Sequence, residues 1–249
     1  MFAAGIFVLF IALLAWAGFG VQKYKAGRLA KTPLVDTGEA AEKGEQVAGD
    51  KGAIAVEGKL NYDELLTSPV TGTKCLYYEL DVDAEWKAGE SSESKKIMDE
   101  KKAVGFTLDD GSGPVGIDAS KGGDFEDIDT AFSKKKGRGI VSTSNSIEFG
   151  DNGFTVMAGQ KVDGVYIPDD AKYEVVEKVL EPIDRAYANG KITENNEVGS
   201  PNWASLILSN KTYEEIVEGT EGFAQKLMYG AAASTVIGSG LAIAAQFVG

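Results

Sequence analysis

The chain has 249 residues, a formal net charge of −13, one Cys and no His. Without His it cannot assemble Ser-His-Asp or Cys-His catalysis or imidazole metal sites, and one Cys allows neither an internal disulfide nor a Cys-based metal site within one chain. The acidic charge argues against nucleic acid as a partner, because phosphate binding needs clustered Lys and Arg.

The chain begins with an uncharged, apolar run, Phe2 to Val21. At a rise of about 1.5 Å per residue, this run is long enough to cross a bilayer as a helix. Ala15-Trp16-Ala17 is similar to a signal-peptide cleavage site, but no basic residue precedes the run and the run is longer than a usual signal segment. We therefore predict an uncleaved membrane helix over residues 1–22.

Four basic residues follow this run, at Lys23, Lys25, Arg28 and Lys31. Under the positive-inside rule such a cluster stays in the cytoplasm, and Lys226, which precedes the second apolar run, is expected on the same side. The sequence therefore predicts a two-pass integral membrane protein with its domain in the cytoplasm. The four side chains are also candidates for contact with acidic lipid headgroups.

The last part of the chain, residues 211–249, is predicted to be a charged juxtamembrane segment followed by a second membrane helix. From Leu227 to Val248 there is no charged side chain. Small residues recur at every fourth position of this run, a pattern that lets two membrane helices approach closely. They are Gly230, Ser234, Gly238 and Ala242. Packing of the two membrane helices on each other and oligomerisation both fit this pattern.

Residues 23–51 are predicted to be a basic and polar linker, and residues 52–210 a mainly β domain inserted between the two helices. Short alternating segments separated by turn signals favour a small antiparallel sandwich or barrel. The polar segment Lys87–Lys102 is predicted to be a loop, and Lys121–Arg138 is charged and Gly-rich. The predicted strands are Ala53–Leu60, Lys74–Trp86, Ala103–Leu108, Pro114–Ile117, Ile140–Phe149, Lys172–Leu180, Ala186–Ile192 (broken at Asn189-Gly190) and Trp203–Leu208.

Carboxylates are frequent between residues 109 and 129. A cation site or acid–base chemistry would need several of them, such as Asp109, Asp118 and Asp127, to converge. Their spacing does not match a calcium-binding loop, and Asp and Gly in this order are typical of solvated turns.

Two further features have a structural and a functional interpretation. Cys75 lies on the Lys74–Trp86 strand, where it is predicted to share a face with Tyr77, opposite Leu76 and Tyr78. A Cys on a strand is more often a packed residue than a reactive thiol. The basic run Lys134–Lys136 with Arg138 is a candidate for lipid contact, but four charges is the lower limit for such a patch and a solvated loop is the favoured interpretation.

Several segments, in this order along the chain, resemble the GIDE domain, also called BAM ("beside a membrane"), of mitochondrial membrane-anchored ubiquitin ligases and their prokaryotic relatives. The first is Val56-Glu-Gly58. The next, Leu66 to Leu80, is similar to the Ser-Pro…Gly…Cys-x-Tyr-Tyr segment of the family. Phe106–Asp118 resembles its hairpin, and Tyr173–Gly190 its later strand pair. The family-motif residues here are Ser68, Pro69, Gly72, Cys75, Tyr77 and Tyr78.

The resemblance implies a β domain between two membrane helices. In the eukaryotic members, ligase activity belongs to a RING, which needs eight Cys and His ligands for two zinc ions, and this chain has one Cys and no His. We therefore expect a non-enzymatic interaction or scaffolding module without a cofactor. Its expected partners are membrane lipid and either a protein or further copies of itself.

Other functions fit the sequence as well. They are a ubiquitin-ligase-family protein by resemblance only, acting in membrane organisation; a cation-dependent enzyme that uses the acidic stretch; and a lipid-sensing protein.

Overall fold

The computed structural model describes residues 2–137, 145–200 and 205–248. Within these ranges the side chains at positions 2–5, 22, 25, 26, 30, 220, 221, 224 and 237–248 are not described. The chain divides into two compact units: Met1–Pro33 together with Lys211–Gly249, and Leu34–Asn210. We describe each unit by itself.

The described residues form three α-helices and a larger number of short strands. The helices are α1 (Phe2–Lys31), α2 (Thr37–Lys43) and α3 (Tyr213–Val248). The strands are β1 (Ala53–Tyr62), β2 (Leu66–Thr67), β3 (Lys74–Cys75), β4 (Tyr77–Ala88), β5 (Ser91–Ala103), β6 (Phe106–Asp109), β7 (Val115–Asp118), β8 (Gly123–Phe125), β9 (Asp129–Gly137), β10 (Ser146–Phe149), β11 (Phe154–Met157), β12 (Lys161–Val162), β13 (Val165–Tyr166), β14 (Lys172–Leu180), β15 (Arg185–Ile192), β16 (Val198–Gly199) and β17 (Leu206–Ser209).

The first unit is a helical hairpin of α1 and α3. The face of α3 that meets α1 contains Leu227 and Thr235, two turns apart. Leu227 Cδ1 lies 3.5 Å from the position that a Cβ on Gly18 would occupy, and the Trp16 indole donates a 3.4 Å hydrogen bond to Thr235 Oγ1. Ala231, midway between them, is fully buried. The described contacts of α3 with α1 therefore lie one position away from the predicted small-residue stripe.

Both helices are present where the sequence predicts them, but their role as membrane spans is not confirmed. Among the residues whose side chains the structure describes, no helix combines the length and apolar character needed to cross a membrane.

The second unit contains a closed barrel of five strands. Strand β1 pairs with β15 along one edge and with β6 along the other, and β6 continues through β7 and β16 back to β15. Strands β17 and β8 extend this barrel beyond β15. A first hydrophobic core fills it, with Ile54, Val56, Leu108, Leu206 and Leu208 almost completely buried. The mainly β fold class is therefore confirmed, and the barrel alternative describes this part. The prediction that it is antiparallel is wrong for two strand pairs, because β7–β16 and β8–β17 are parallel.

A second layer is the antiparallel sheet β5-β4-β14-β9. Alternate residues of β4, from Tyr78 to Trp86, face a second hydrophobic core that the β10–β11 segment also lines. The opposite face of β4 carries Glu79, Asp81 and Glu85, each of which forms an ion pair with a lysine of another strand of the same sheet. One face of strand β4 is therefore apolar and packs on the second hydrophobic core, and the opposite face carries several ion pairs.

Several local predictions need correction. Lys87–Lys102, predicted to be a loop, is mostly the long strand β5. The basic run Lys134–Lys136, for which a solvated loop is the favoured interpretation from sequence, lies on strand β9. Both β5 and β9 are polar on both faces, so they lack the alternation that identifies a half-buried strand. Strand β15 runs unbroken through Asn189-Gly190.

The region predicted to be a linker, residues 23–51, is folded. Its first part continues α1, and the rest packs on the barrel. Ala40 of α2 is fully buried in the first core, and the Val35 amide donates to the Ala55 carbonyl. The strand pattern at Lys74–Trp86 also breaks at Leu76, so Cys75 packs with Tyr78 in the second core while Leu76 and Tyr77 lie in the first.

Candidate functional site

A densely hydrogen-bonded polar site surrounds Glu177, a fully buried residue of β14. The loop Ser68–Thr73 wraps around its carboxylate. Oε1 accepts a 2.6 Å hydrogen bond from the Val70 amide, while Oε2 accepts from the Thr71 amide, the Thr71 hydroxyl and the Ser68 hydroxyl at 2.6–3.0 Å. A buried charge is tolerated only when it is well paired or hydrogen-bonded, and here four donors supply that pairing.

The shape of this loop follows from its sequence. Gly72 has φ of 73°, a left-handed conformation that favours glycine. The Thr73 amide turns back to the Ser68 hydroxyl at 3.0 Å. From the other side, the Asn152 side chain donates to the Pro69 carbonyl at 3.1 Å. The Ser-Pro-x-Thr-Gly motif therefore builds a cradle of donors that fits one carboxylate of the same chain.

Cys75 lies beside this cradle and is completely buried. Burial, followed by the nearby negative charges of Glu177 and Glu181, raises the pKa of its thiol to about 11. Because the thiolate is the reactive form, a thiol with this pKa is inert near neutral pH. The structural interpretation of Cys75 is therefore favoured.

The two motif tyrosines also have structural partners. Tyr77 packs edge-on against Phe125 with ring centroids 4.8 Å apart, and its hydroxyl donates to Glu79 at 2.7 Å. Tyr78 donates to Glu100 at 2.7 Å. Burial is the largest cause that raises the pKa of both phenols, and these hydrogen bonds raise it further. Both tyrosines therefore act as neutral hydrogen-bond donors, Tyr77 to Glu79 and Tyr78 to Glu100 of β5.

The acidic stretch does not converge on one point. Asp109 accepts from the Gly111 amide, Asp118 from the Ser120 amide, and Asp127 from the Asn210 amide. In the described part of the chain, no group of three or more His, Cys, Asp or Glu side chains is arranged to hold a metal ion. Each of these carboxylates closes a local turn or a chain crossing.

Asp110 in the same stretch has a different role, because it clamps the start of α2. It accepts from the Thr37 amide at 3.0 Å and the Thr37 hydroxyl at 2.8 Å, while the Gly38 amide donates to the Ser112 hydroxyl at 2.8 Å. Partial burial raises the pKa of Asp110, but the hydrogen bonds from Ser112 and Thr37 outweigh burial and hold the pKa well below its ordinary value. Because the sequence pattern predicts a linker over the residues of α2, this contact is not predicted from the sequence.

The basic residues singled out in the sequence lie in two places. Lys23, Lys25, Arg28 and Lys31 are on the last three turns of α1, where the Lys23 ammonium lies 5.8 Å from the Phe19 ring; the Lys25 side chain is not described. Lys134–Lys136 lie on strand β9. Lys135 pairs with Glu85, and Lys136 donates to the Glu148 carbonyl at 2.8 Å. Arg138 lies outside the described residues.

The predicted small-residue stripe is described only in its first half. Gly230 is exposed, with no atom within 4 Å of the position that its Cβ would occupy. Ser234 is half-buried. The side chains of Gly238 and Ala242 lie outside the described residues.

Two open, polar hollows lie on the second unit. One, of about 670 Å³, is lined by Lys59, Asn61, Asp109, Asp110, Gly111, Asp184 and Arg185. The other, of about 730 Å³, includes Lys43, Lys121 and Lys191 together with Glu45 and Glu194. Each mixes both signs of charge in contact with solvent.

The family model described as "GIDE: E3 Ubiquitin ligase" matches residues 77–243, two thirds of the chain. No curated protein matched the chain. No solved structure matched it either.

Proposed function

Because the chain belongs to the GIDE family of E3 ubiquitin ligases, we propose that it is a membrane-anchored, non-enzymatic interaction module of that family. Its helical hairpin is the anchor, and its β unit is the part that meets partners beside the membrane. Residues 1–249 contain one Cys and no His, so no RING can be assembled from them. We therefore do not assign ubiquitin transfer to these residues.

The anchor is supported by the side chains that α1 leaves uncovered. Ile6, Phe7, Phe10, Leu13 and Leu14 are all more than half exposed. Large apolar side chains on successive turns are costly in water, and a lipid phase would cover them. The basic end of α1 supports a cytoplasmic position for the β unit.

The interaction role is supported by how the family-motif residues are used. Ser68 and Gly72 shape the cradle around Glu177, Cys75 is packed, and the tyrosines act as neutral donors. These motif residues stabilise the β unit. We therefore assign the binding of partners to other residues, on the surface of the β unit.

Liposome flotation of the full-length chain tests the anchor. We expect the wild type to float with vesicles of neutral lipid and to remain bound in high salt, because apolar insertion is insensitive to screening. A Phe10→Asp/Leu14→Asp variant should stay at the bottom of the gradient, because charged side chains in hydrocarbon are costly. Lys135→Glu, on the β unit, is the matched control and should float. A wild type that floats only with anionic lipid and detaches in salt would contradict insertion in favour of the lipid-sensing function.

The non-enzymatic part has a separate test. The full-length chain, incubated with ubiquitin, ATP, an activating enzyme and a panel of conjugating enzymes, should yield no ubiquitin conjugates above the reaction without it. Conjugates that depend on the chain would overturn this part of the proposal.

A further inference from the structure

Strand β5 is the longest strand among the described residues, and one of its edges is paired with no described strand. It runs from Ser91 to Ala103 and, among the described residues, pairs only with β4. Its residues are exposed or half-buried throughout. A long strand at the edge of a sheet presents unpaired amide and carbonyl groups to other chains.

A bulge at Ile97 divides this strand into two halves. Met98 lies opposite Val82 and Lys96 opposite Asp83, so Ile97 is the extra residue. Because the bulge shifts the alternation, odd-numbered residues before it face the second core, whereas even-numbered residues do so after it. On the core side lie Glu93, Lys95, Met98, Glu100 and Lys102, and on the outer side Ser92, Ser94, Lys96, Asp99 and Lys101.

The two halves are complementary in charge. If a second β5 is placed antiparallel along the free edge with Lys96 opposite Asp99, then Lys95 falls opposite Glu100. Glu93 then falls opposite Lys102, and Ile97 opposite Met98. In each of these pairs both side chains are on the same face of the combined sheet. Opposite charges on directly opposed residues stabilise a strand pair.

The neighbouring registers that keep faces matched are disfavoured. A shift of two residues in one direction places Glu93 opposite Glu100. A shift of two in the other places Lys95 opposite Lys102 and Lys96 opposite Lys101. Like charges directly opposed destabilise a pair, so the charge pattern favours one register over its neighbours.

We infer that β5 is a homodimerisation edge, which joins two copies of this chain through an antiparallel β5–β5 pair into one continuous sheet. This names a partner for the interaction module and rests on that proposed function. Lysines at a sheet edge usually prevent pairing with other chains. In this register the same lysines lie opposite acidic residues of the second copy. They therefore favour pairing with a second β5 over pairing with an unrelated strand.

The charges of β5 also make ion pairs within one chain. Lys95 pairs with Asp163, Lys96 with Asp81 and Asp99, and Lys102 with Glu100. Lys95 would have to exchange Asp163 for Glu100 of the second copy. The side chains of Lys96, Asp99 and Lys102 are still 48%, 52% and 58% exposed. They can therefore turn toward a neighbouring strand without uncovering the core. A shared membrane would raise the local concentration of the two copies.

Charge exchange tests the inference in the full-length chain, with mass photometry in mild detergent as the measurement. We expect the wild type to be a dimer. Lys95→Glu/Lys96→Glu and Asp99→Lys/Glu100→Lys should each be monomers, because each places like charges opposite one another. An equimolar mixture of these two variants should dimerise, and so should the chain that carries all four substitutions. Lys59→Glu/Lys121→Glu changes the net charge as much as the first variant but lies elsewhere, so it should remain a dimer.

A crosslink fixes the register without relying on charge. In a Cys75→Ser background, a Ser94→Cys chain mixed with a Lys101→Cys chain should form a disulfide-linked dimer, because these positions are opposite each other. Ser94→Cys mixed with Ser91→Cys should form none. A wild-type monomer, charge variants that remain dimeric, or a crosslink only in the control mixture would overturn the inference. If the wild type floats with vesicles but its association does not depend on the charges of β5, only the β5–β5 inference is wrong. If the wild type does not float, the proposed membrane anchor is wrong as well.

Discussion

At the scale of single residues, the most informative side chain is Glu177. The sequence shows it as one of several polar residues on an alternating strand, and nothing distinguishes it from Glu174. In the structure it is fully buried and accepts four hydrogen bonds from Ser68, Val70 and Thr71. The family motif is therefore explained by a residue more than a hundred positions away.

Removing this carboxylate should cost far more stability than removing an exposed one. We expect Glu177→Ala to lower the free energy of unfolding by about 3 kcal/mol or more, because several buried donors lose their acceptor. Glu177→Gln keeps the volume but places an amide donor against other donors, so it should be intermediate. Urea unfolding followed by tryptophan fluorescence measures both.

Glu174, on the opposite face of the same strand, is the control for this experiment. It is about half exposed and lies 3.9 Å from Lys135. Glu174→Ala should change the stability by about 0.5 kcal/mol or less. Equal losses for Glu174→Ala and Glu177→Ala would refute the cradle.

At the scale of elements, α2 shows how a short helix is held by another part of the chain. Its N-cap, Asp36, makes no side-chain cap hydrogen bond. The amides of Thr37 and Gly38 are capped instead by Asp110 and Ser112 of the β6–β7 hairpin. Close packing accompanies this, since a Cβ on Gly38 would lie 2.4 Å from the Ser112 carbonyl oxygen.

This contact predicts a pH dependence. The pKa of Asp110 is lower in the folded chain than its ordinary value, so its contribution to stability is present above about pH 4, the pKa of an unfolded Asp, and is lost as the pH falls below it. Asp110→Asn should therefore lower Tm at pH 7, and the difference from the wild type should shrink toward pH 3. Asp151→Asn, at an exposed turn, should match the wild type throughout. A difference for Asp110→Asn that stays constant with pH would contradict the clamp.

Strand β5 illustrates why some elements escape prediction. Both of its faces are polar, so the hydrophobic pattern that identifies strands is missing. It is a strand because β4 offers a complete row of backbone partners and because Lys101 pairs with Glu79 across the two strands. Hydrophobic alternation in a sequence indicates a strand with one buried face, and the residues of β5 are all exposed or half-buried.

At the scale of the whole molecule, the described residues of the two hydrophobic cores all lie between 34 and 210. The β unit therefore has hydrophobic cores of its own, as expected of a domain that folds independently.

A fragment of residues 34–210 should thus fold without the helices. We expect a single cooperative unfolding transition and a near-UV circular dichroism spectrum typical of packed aromatic side chains, with Tyr77 and Tyr187 among those fully buried. A fragment that binds hydrophobic dyes and lacks near-UV signal would show that the hairpin is needed for folding.

The sequence by itself determined the terminal helices, the mainly β class, the strands over 53–60 and 172–180, the 106–118 hairpin and the family. These follow from local signals: uncharged runs, alternation along half-buried strands, and Asp-Gly turns. Only the tertiary structure decided that Ser68 and Thr71 hold Glu177, that Asp110 caps α2, and that β5 closes one side of a sheet. These contacts join residues distant in sequence, and their energy comes from hydrogen bonds that exist only once the chain is packed.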